Sequence, residues 1–312
     1  MTSATATSPR SPQVAGFIAA LGAFLVWGVV NPLYFKAVSF VDPVEIMAHR
    51  IVWTVVLLGG IVLVTQGFGA IVRAVGSWRR LGILAVTTVL ITINWSVFIY
   101  AVVNNQLVAS SLGYYINPLL NVVLGVAFLG ERLSRRQSAA VALAAVGVLS
   151  LIVLHGSLPW ISLILPLSFG LYGLIRKKAT IDPVIGLLVE TALIFPVCLG
   201  YLLWLGSDGI FATGGLGTDL LLMLSGPITG VPMVLFVYSA QRLNLSTVGL
   251  LQYIGPTGQL LMGVLLFGES FTTGHAIAFA CIWVALVLYS ADTLSLHRAD
   301  QRRRRVAETA SE

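Results

Sequence analysis

Arg50 lies within "PVEIMAHRIVWTVVLLGG" (43–60) and Glu190 within "PVIGLLVETALIF" (183–195), each a charge set in an apolar run. At the centre of a bilayer a charge costs about 2.5–3.5 kcal/mol on insertion scales, so it faces a partner or a wet cavity. Arginine has one other course, which is to snorkel its head outward along its aliphatic stem. Arg50 comes six residues after Val44, ~9 Å along a helix, and both readings stay open: a pathway or cavity-shaping residue, or a snorkelling one. Its guanidinium suits an anionic group, whereas the Glu190 carboxylate suits an ammonium or a proton. The other reading of Glu190 is a protonated, hydrogen-bonded packing residue. His49 adjoins Arg50 in sequence, but successive helix residues point ~100° apart. It is a proton carrier or a packed, hydrogen-bonded histidine, and is argued separately.

Further polar and aromatic groups sit in other apolar runs. Asn94, Trp95, Tyr114, Tyr115, Asn117, Asn121, Gln252, Tyr253 and Gln259 form a candidate lining, with Asn121 and Gln259 at equivalent places of the repeat described below. Asn117 precedes Pro118, whose missing amide frees a carbonyl one turn back; such breaks are tolerated where a helix lines a cavity. The competing readings are an interfacial belt for Tyr and Trp and helix-joining hydrogen bonds for Asn. Trp27 and Asn31 are one turn apart, and Pro32 predicts a bend there that would serve as a gate. Glu131 and Glu269 close equivalent "GE" steps and read as helix-end determinants. No catalytic residue, metal or cofactor is expected. The four histidines show no HExxH spacing, and GxSxG and P-loop patterns are absent, so ATP-driven pumping by this chain alone is excluded. Cys198 and Cys281 lie in apolar runs and read as packing residues.

The elements that must position these groups are membrane helices. Of the 312 residues 57% are hydrophobic and 10% charged, with mean hydropathy +0.95, where soluble domains carry about 25% charged residues. Ten apolar runs are long enough to span: 14–35, 44–65, 82–103, 107–128, 138–154, 159–175, 184–205, 219–240, 246–267 and 274–291. With the amino terminus cytoplasmic, 16 of the 18 Lys and Arg fall in inside segments, Lys36 falls outside, and Arg50 lies within a span. That asymmetry predicts both termini in the cytoplasm. The polar segment 1–13 reads as a flexible tail rather than a signal peptide, and 292–312 as a basic tail. Its "HRADQRRRR" reads as an anchor at anionic lipid, with no nucleic-acid partner required.

The chain also repeats. Shifted by 138 residues, "YYINPLLNVVLGVAFLGE" (114–131) overlies "QYIGPTGQLLMGVLLFGE" (252–269), with eleven identities in the thirty-four ungapped positions 98–131. A shift of 140 superposes the two "DPV" triplets and sets Arg50 over Glu190. Five spans per repeat invert the second half, as in many secondary transporters. The expected architecture is therefore all-α and integral to the membrane: ten transmembrane helices as two inverted five-helix repeats, 14–154 and 159–291. Arg50 and Glu190 would approach from opposite faces, ~10 Å apart in depth.

"FLVWGVVNPLYFK" (24–36), "HRIVW" (49–53), "NWSVFIYAVVNN" (94–105), "SLGYYINPLLNVVLGVAFLGERL" (111–133) and "STVGLLQYIGPT" (246–257) together resemble the EamA-type permeases of the drug/metabolite transporter superfamily, closest to the RarD group. The resemblance covers about 14–292. It implies a cytoplasmic-membrane permease, an exporter of small metabolites or drug-like compounds by alternating access. Members of that group are often described through chloramphenicol sensitivity. The partners implied are a small-molecule substrate, the lipid bilayer and, if transport is coupled, protons through Glu190 or His49. The Ala-rich fifth and tenth spans suit peripheral packing or a dimer interface, leaving monomer or homodimer open. A channel or lipid scramblase is the alternative; an intramembrane enzyme or a non-transporting subunit has less in its favour.

Overall fold

A computed structural model describes residues 12–129, 133–156, 158–179, 181–240, 242–243, 248 and 251–309. Its described residues are helical, without a strand. Helix α1 runs as Pro12–Leu25, a π-helical turn at Val26–Val30 and Asn31–Ala37. Then come α2 (Pro43–Thr65), α3 (Phe68–Val75), α4 (Trp78–Val103), α5 (Leu107–Leu129) and α6 (Arg135–His155). The second half holds α7 (Trp160–Ala179), α8 (Pro183–Leu205), α9 (Leu216–Ala240), α10 (Ile254–Leu261, continued by a π-helical turn at Met262–Leu266) and α11 (Thr273–Thr309). Among the described residues eight helices are long and apolar enough to cross a membrane; Trp160–Arg176 and Ile254–Leu266 are shorter apolar helices.

The ends of these helices follow from local chemistry. Asp42 and Asp182, the acids of the two "DPV" triplets, are N-caps: each side chain accepts from the backbone two residues on, at 2.8 and 3.0 Å. The proline that follows presets the first helical turn. Ser134 and Gln137 close a capping box at the start of α6. Glu269 performs the same task from a distance: its two oxygens accept from the Leu107 and Val108 amides at 2.7 and 2.8 Å, capping α5. Glu131 lies outside the described residues.

Three details differ from the sequence reading. Residues 66–81 read as a loop but hold α3, because Ala70, Ile71, Ala74 and Val75 pack with Leu84 and Ile185 once Gly67 (φ 73°) has turned the chain. The bend expected at Pro32 is a π-helical turn one turn earlier, with Pro32 starting the next helical stretch. Helix α5 runs through Pro118 without the expected break.

Helix α2 packs between α8 and α9, α4 against α7 and α8, α1 against α9 and α10, α5 against α7 and α10, and α6 against α11. Side-chain contacts give the directions. Gly59 faces Leu188 while Glu45 reaches the Ile210 amide, so α2 and α8 are antiparallel. Trp53 lies on Gly226 and Leu57 on Gly230, so α2 and α9 are parallel. Ser162 reaches Ala109 and Gly170 lies on Asn121, so α5 and α7 are parallel too. At the crossing of α1 and α10 the backbones touch: a Cβ on Gly28 would come within 2.7 Å of the Gly255 carbonyl oxygen. Only glycine permits that approach. The largest buried apolar cluster, with Phe35, Ile46, Leu58, Ile99, Leu165 and Leu187, surrounds the charges described next.

Candidate functional site

Both charges of interest are the eighth residue of a 23-residue helix, Arg50 in α2 and Glu190 in α8. Both are buried, at 4% and 1% exposure.

Arg50 does not snorkel. Its guanidinium lies 4.3 Å from the Trp95 ring centroid and 5.3 Å from that of Phe35, a stacked cation–π arrangement. Its Nε donates to Thr229 Oγ1 at 2.9 Å, and its Nη1 is buried without a hydrogen-bond partner. Phe98 extends the aromatic wall, with centroids 5.9 Å from Phe35 and 6.2 Å from Tyr114. The Tyr114 hydroxyl donates to Asn94 Oδ1 at 3.2 Å, and the Asn94 amide donates to the Leu165 carbonyl at 2.9 Å and Ser168 Oγ at 3.2 Å. Tyr34 donates to the Leu221 carbonyl. No carboxylate among the described residues forms an ion pair with Arg50.

Glu190 is surrounded differently. Its Oε1 accepts from Thr87 at 2.6 Å and lies 3.5 Å from Arg176 Nε, while its Oε2 accepts from the Tyr172 hydroxyl at 3.1 Å. Arg176 is thus a correction to the sequence reading, which counted it only among the inside loop charges. Its side chain is nearly buried and pairs across α7 and α8. A long side chain at a helix end reaches back into the bundle as readily as outward.

His49 is buried against Phe211, with ring centroids 4.9 Å apart; its Nε2 is 3.8 Å from Glu45 Oε1, and neither ring nitrogen has a hydrogen bond. The hydrogen-bonded packing expected as one reading of His49 is therefore not what the geometry shows. Glu45 also accepts from the Ile210 amide at 2.9 Å.

A third group gathers where α1, α5 and α10 meet. Tyr115 stacks on Tyr253 at 6.1 Å and its hydroxyl is 2.5 Å from Thr257 Oγ1; Gln259 Oε1 accepts from Ser110 at 3.1 Å. The Gln259 amide points at the Trp27 carbonyl, 3.5 Å away, and the Trp27 ring packs with Phe24 and Phe236. Asn117 is 1% exposed with both amide ends unpartnered, and Asn31 is buried with an unpartnered Oδ1. Asn121 is exposed beside Gly170, so it does not join the Arg50 group, and Gln252 is half-buried.

The sequence-predicted residues therefore divide. Arg50, Trp95, Asn94 and Tyr114 come together; Glu190 stands apart with Arg176; Tyr115, Tyr253, Gln259 and Trp27 form a separate seam. The sequence reading missed Phe35, Thr229, Thr87, Tyr172 and Glu45. Thr229 is 179 residues from Arg50, and a lone threonine in an apolar run carries no signal of its own. A cavity of about 270 Å³ opens elsewhere, lined by Asn105, Trp160, Ser162, Glu269, Ser270 and His275, and touches none of the predicted site residues.

Apolar helices of spanning length and buried charges between them define a multi-pass membrane protein. The EamA-like transporter family matches residues 14–153 and again 158–291. The chain belongs to that family and is a membrane transporter, RarD-like within it. It is 44% identical over 293 residues to a protein called "uncharacterized transporter" from Vibrio cholerae, covering 93% of this chain and 96% of that one. It is 41% identical over 296 residues to "Protein RarD" of Streptomyces exfoliatus, covering 94% of each. One solved crystal structure superposes with a TM-score of 0.55 at 17% identity, covering 88% of this chain and 97% of the other, a likeness of fold.

Proposed function

We propose that the chain is a secondary permease of the cytoplasmic membrane that exports small metabolites or drug-like compounds by alternating access. In this reading ten helices span the bilayer as two inverted five-helix repeats, α1, α2, α4, α5 and α6 against α7, α8, α9, α10 and α11, with both termini cytoplasmic. The observation that carries it is the packing pattern, whose larger helix–helix contacts map onto one another when the halves are exchanged. Helix α1 on α9 has its counterpart in α7 on α4, α1 on α10 in α7 on α5, and α2 on α9 in α8 on α4; α2 on α8, α5 on α10 and α6 on α11 map onto themselves. A bundle whose two halves make equivalent contacts has two exchanged arrangements of similar energy, which is what opening alternately to either face requires. The helix directions and the family's match to each half support the same reading.

The aromatic cluster around Arg50 lies on the cargo path in this proposal, and the Glu190–Arg176 clasp is the cytoplasmic closure. Thr87, Tyr172, Arg176 and Glu190 tie α4, α7 and α8 together. Protonation of Glu190 removes the charge facing Arg176, and that is where a proton gradient would enter the cycle. Asn31, Asn117 and His49 are further pathway residues in this reading.

The test is flux of a metabolite panel including chloramphenicol in proteoliposomes, with and without a pH gradient. Wild-type protein, Arg50→Ala and Glu190→Gln are compared. We expect saturable flux that Arg50→Ala abolishes, and accumulation against a gradient that Glu190→Gln uncouples. Wild-type flux of a confirmed substrate in both variants would remove these residues from the mechanism. Non-saturable conduction would replace the permease with a channel.

A further inference from the structure

The surroundings of Arg50 carry information about what would bind there. We infer that the cargo is an organic oxyanion on a flat apolar body, its charged end bound by Arg50 and its body by the aromatic wall. This rests on reading the Arg50 cluster as part of the transport path.

Arg50 is a buried charge without an ion-pair partner among the described residues. Arginine stays protonated and has five N–H donors in a planar fork. Here Thr229 takes the Nε proton and Nη1 is buried with nothing to receive it. The hydroxyls within electrostatic reach, Tyr34 and Tyr114, are committed to Leu221 and Asn94. A buried cation with no anion is costly, and natural proteins pair such groups. This same chain does so at Arg176, whose partner is Glu190. At Arg50 no carboxylate among the described residues forms that pair, and an anion brought by the cargo completes it. With Nε held by Thr229, the terminal edge of the guanidinium is the one offered, the edge that grips an oxyanion through two parallel hydrogen bonds.

The walls specify the rest of the molecule. Trp95 and Phe35 cover the guanidinium, and the chain Phe35–Phe98–Tyr114 continues at ring separations of about 6 Å. These rings meet one another edge to face, at interplanar angles of 83° and 64°, and form one continuous aromatic surface beside the guanidinium; a planar apolar body would meet that surface by offset or edge contact. Uncommitted polar atoms lie at helical spacing from these groups. Asn117 is three residues beyond Tyr114, Asn31 four before Phe35, and Thr54 four beyond Arg50, so each shares its helix face. Each is buried with a polar atom that has no partner. They suit a polar substituent on the same cargo.

The experiment uses purified full-length protein in nanodiscs, titrated by calorimetry with naphthoate, naphthyl phosphate and the neutral isostere naphthamide. At least one anion is expected to bind about ten-fold or more tightly than the amide, the scale of one charge-assisted contact. The carboxylate and phosphate arms show which oxyanion is preferred. Arg50→Gln should bind anion and amide alike, and Arg50→Lys should keep part of the preference. Equal binding of anions and amide by wild type, no binding of either anion at millimolar concentration, or a preference that survives Arg50→Gln would each overturn the inference. The wild-type comparison stands without any variant, so a poorly folding variant does not rescue it. Anions that bind through Arg50 yet never cross proteoliposome membranes would sink the permease reading while leaving the anion site intact. Saturable flux of neutral compounds with no anion preference would do the reverse.

Discussion

Arg50 and Glu190 occupy the same place in equivalent helices, eight residues into α2 and α8 behind an Asp cap and a proline. Each is hydrogen-bonded to a threonine on a helix packed beside it, Thr229 on α9 and Thr87 on α4. There the likeness ends. Glu190 has a counter-ion and a tyrosine hydroxyl, so its charge is balanced inside the protein. Arg50 has two aromatic faces and an idle Nη1. Repetition of a sequence places two charges at matching positions without giving them matching roles. The difference lies in what the neighbouring helices present: Tyr172 and Arg176 on α7 in one case, Phe35 on α1 with Trp95 on α4 in the other.

That contrast can be broken at several points. The largest effect is expected from Arg176→Met, which strands a buried carboxylate and should destabilise the fold by about 3–5 kcal/mol, read as thermal unfolding in detergent. Adding Glu190→Met should recover most of that loss, because an apolar pair of similar volume replaces a desolvated ion pair at little net cost. A double variant no more stable than the single one would mean that Glu190 is balanced by something other than Arg176. Thr87→Val removes one hydrogen bond from the carboxylate, and about 1.5–3 kcal/mol of stability should go with it. The smallest effect on stability, and the sharpest contrast, belongs to Arg50→Met. With no partner carboxylate to strand, its unfolding should shift by less than about 1 kcal/mol in either direction while transport is lost. A large destabilisation by Arg50→Met would show that the guanidinium is a structural brace, erasing the difference between the two sites.

Much of this was legible from residue types alone. The two "DPV" triplets, which aligned the repeat, turn out to be helix starts: Asp accepts from the free first amides, Pro presets φ, and both Asp residues are caps. The "GE" step correctly suggested a helix-end role for Glu269, though the helix it caps, α5, is 162 residues away and nothing local pointed there. Asn94 and Tyr114 lie on α4 and α5, which the short loop after Val103 makes neighbours, but that these two side chains meet in a hydrogen bond was not legible in the sequence. Asn121, equally a polar residue in an apolar run, lies exposed at the contact with α7, beside Gly170 and away from the Arg50 group. One residue of helical rotation is ~100°, too fine an angle for hydrophobic periodicity to resolve when every face of a helix is apolar.

Sequence by itself determined the class, the apolar helices, the weak internal repeat and the presence of two charges that a bilayer would not tolerate unaided. These are properties of composition and local spacing, and the energy of burying a charge in lipid depends on little else. Which charge is balanced was decided by the tertiary structure. It turns on whether a neighbouring helix brings a carboxylate, a guanidinium or an aromatic ring within about 4 Å, and such contacts join residues as far apart as 50 and 229. Arg176 looked like one more loop cation and became the partner of Glu190; Arg50, set by the repeat at the matching position, has aromatic rings and a threonine beside it and, among the described residues, no carboxylate paired with it.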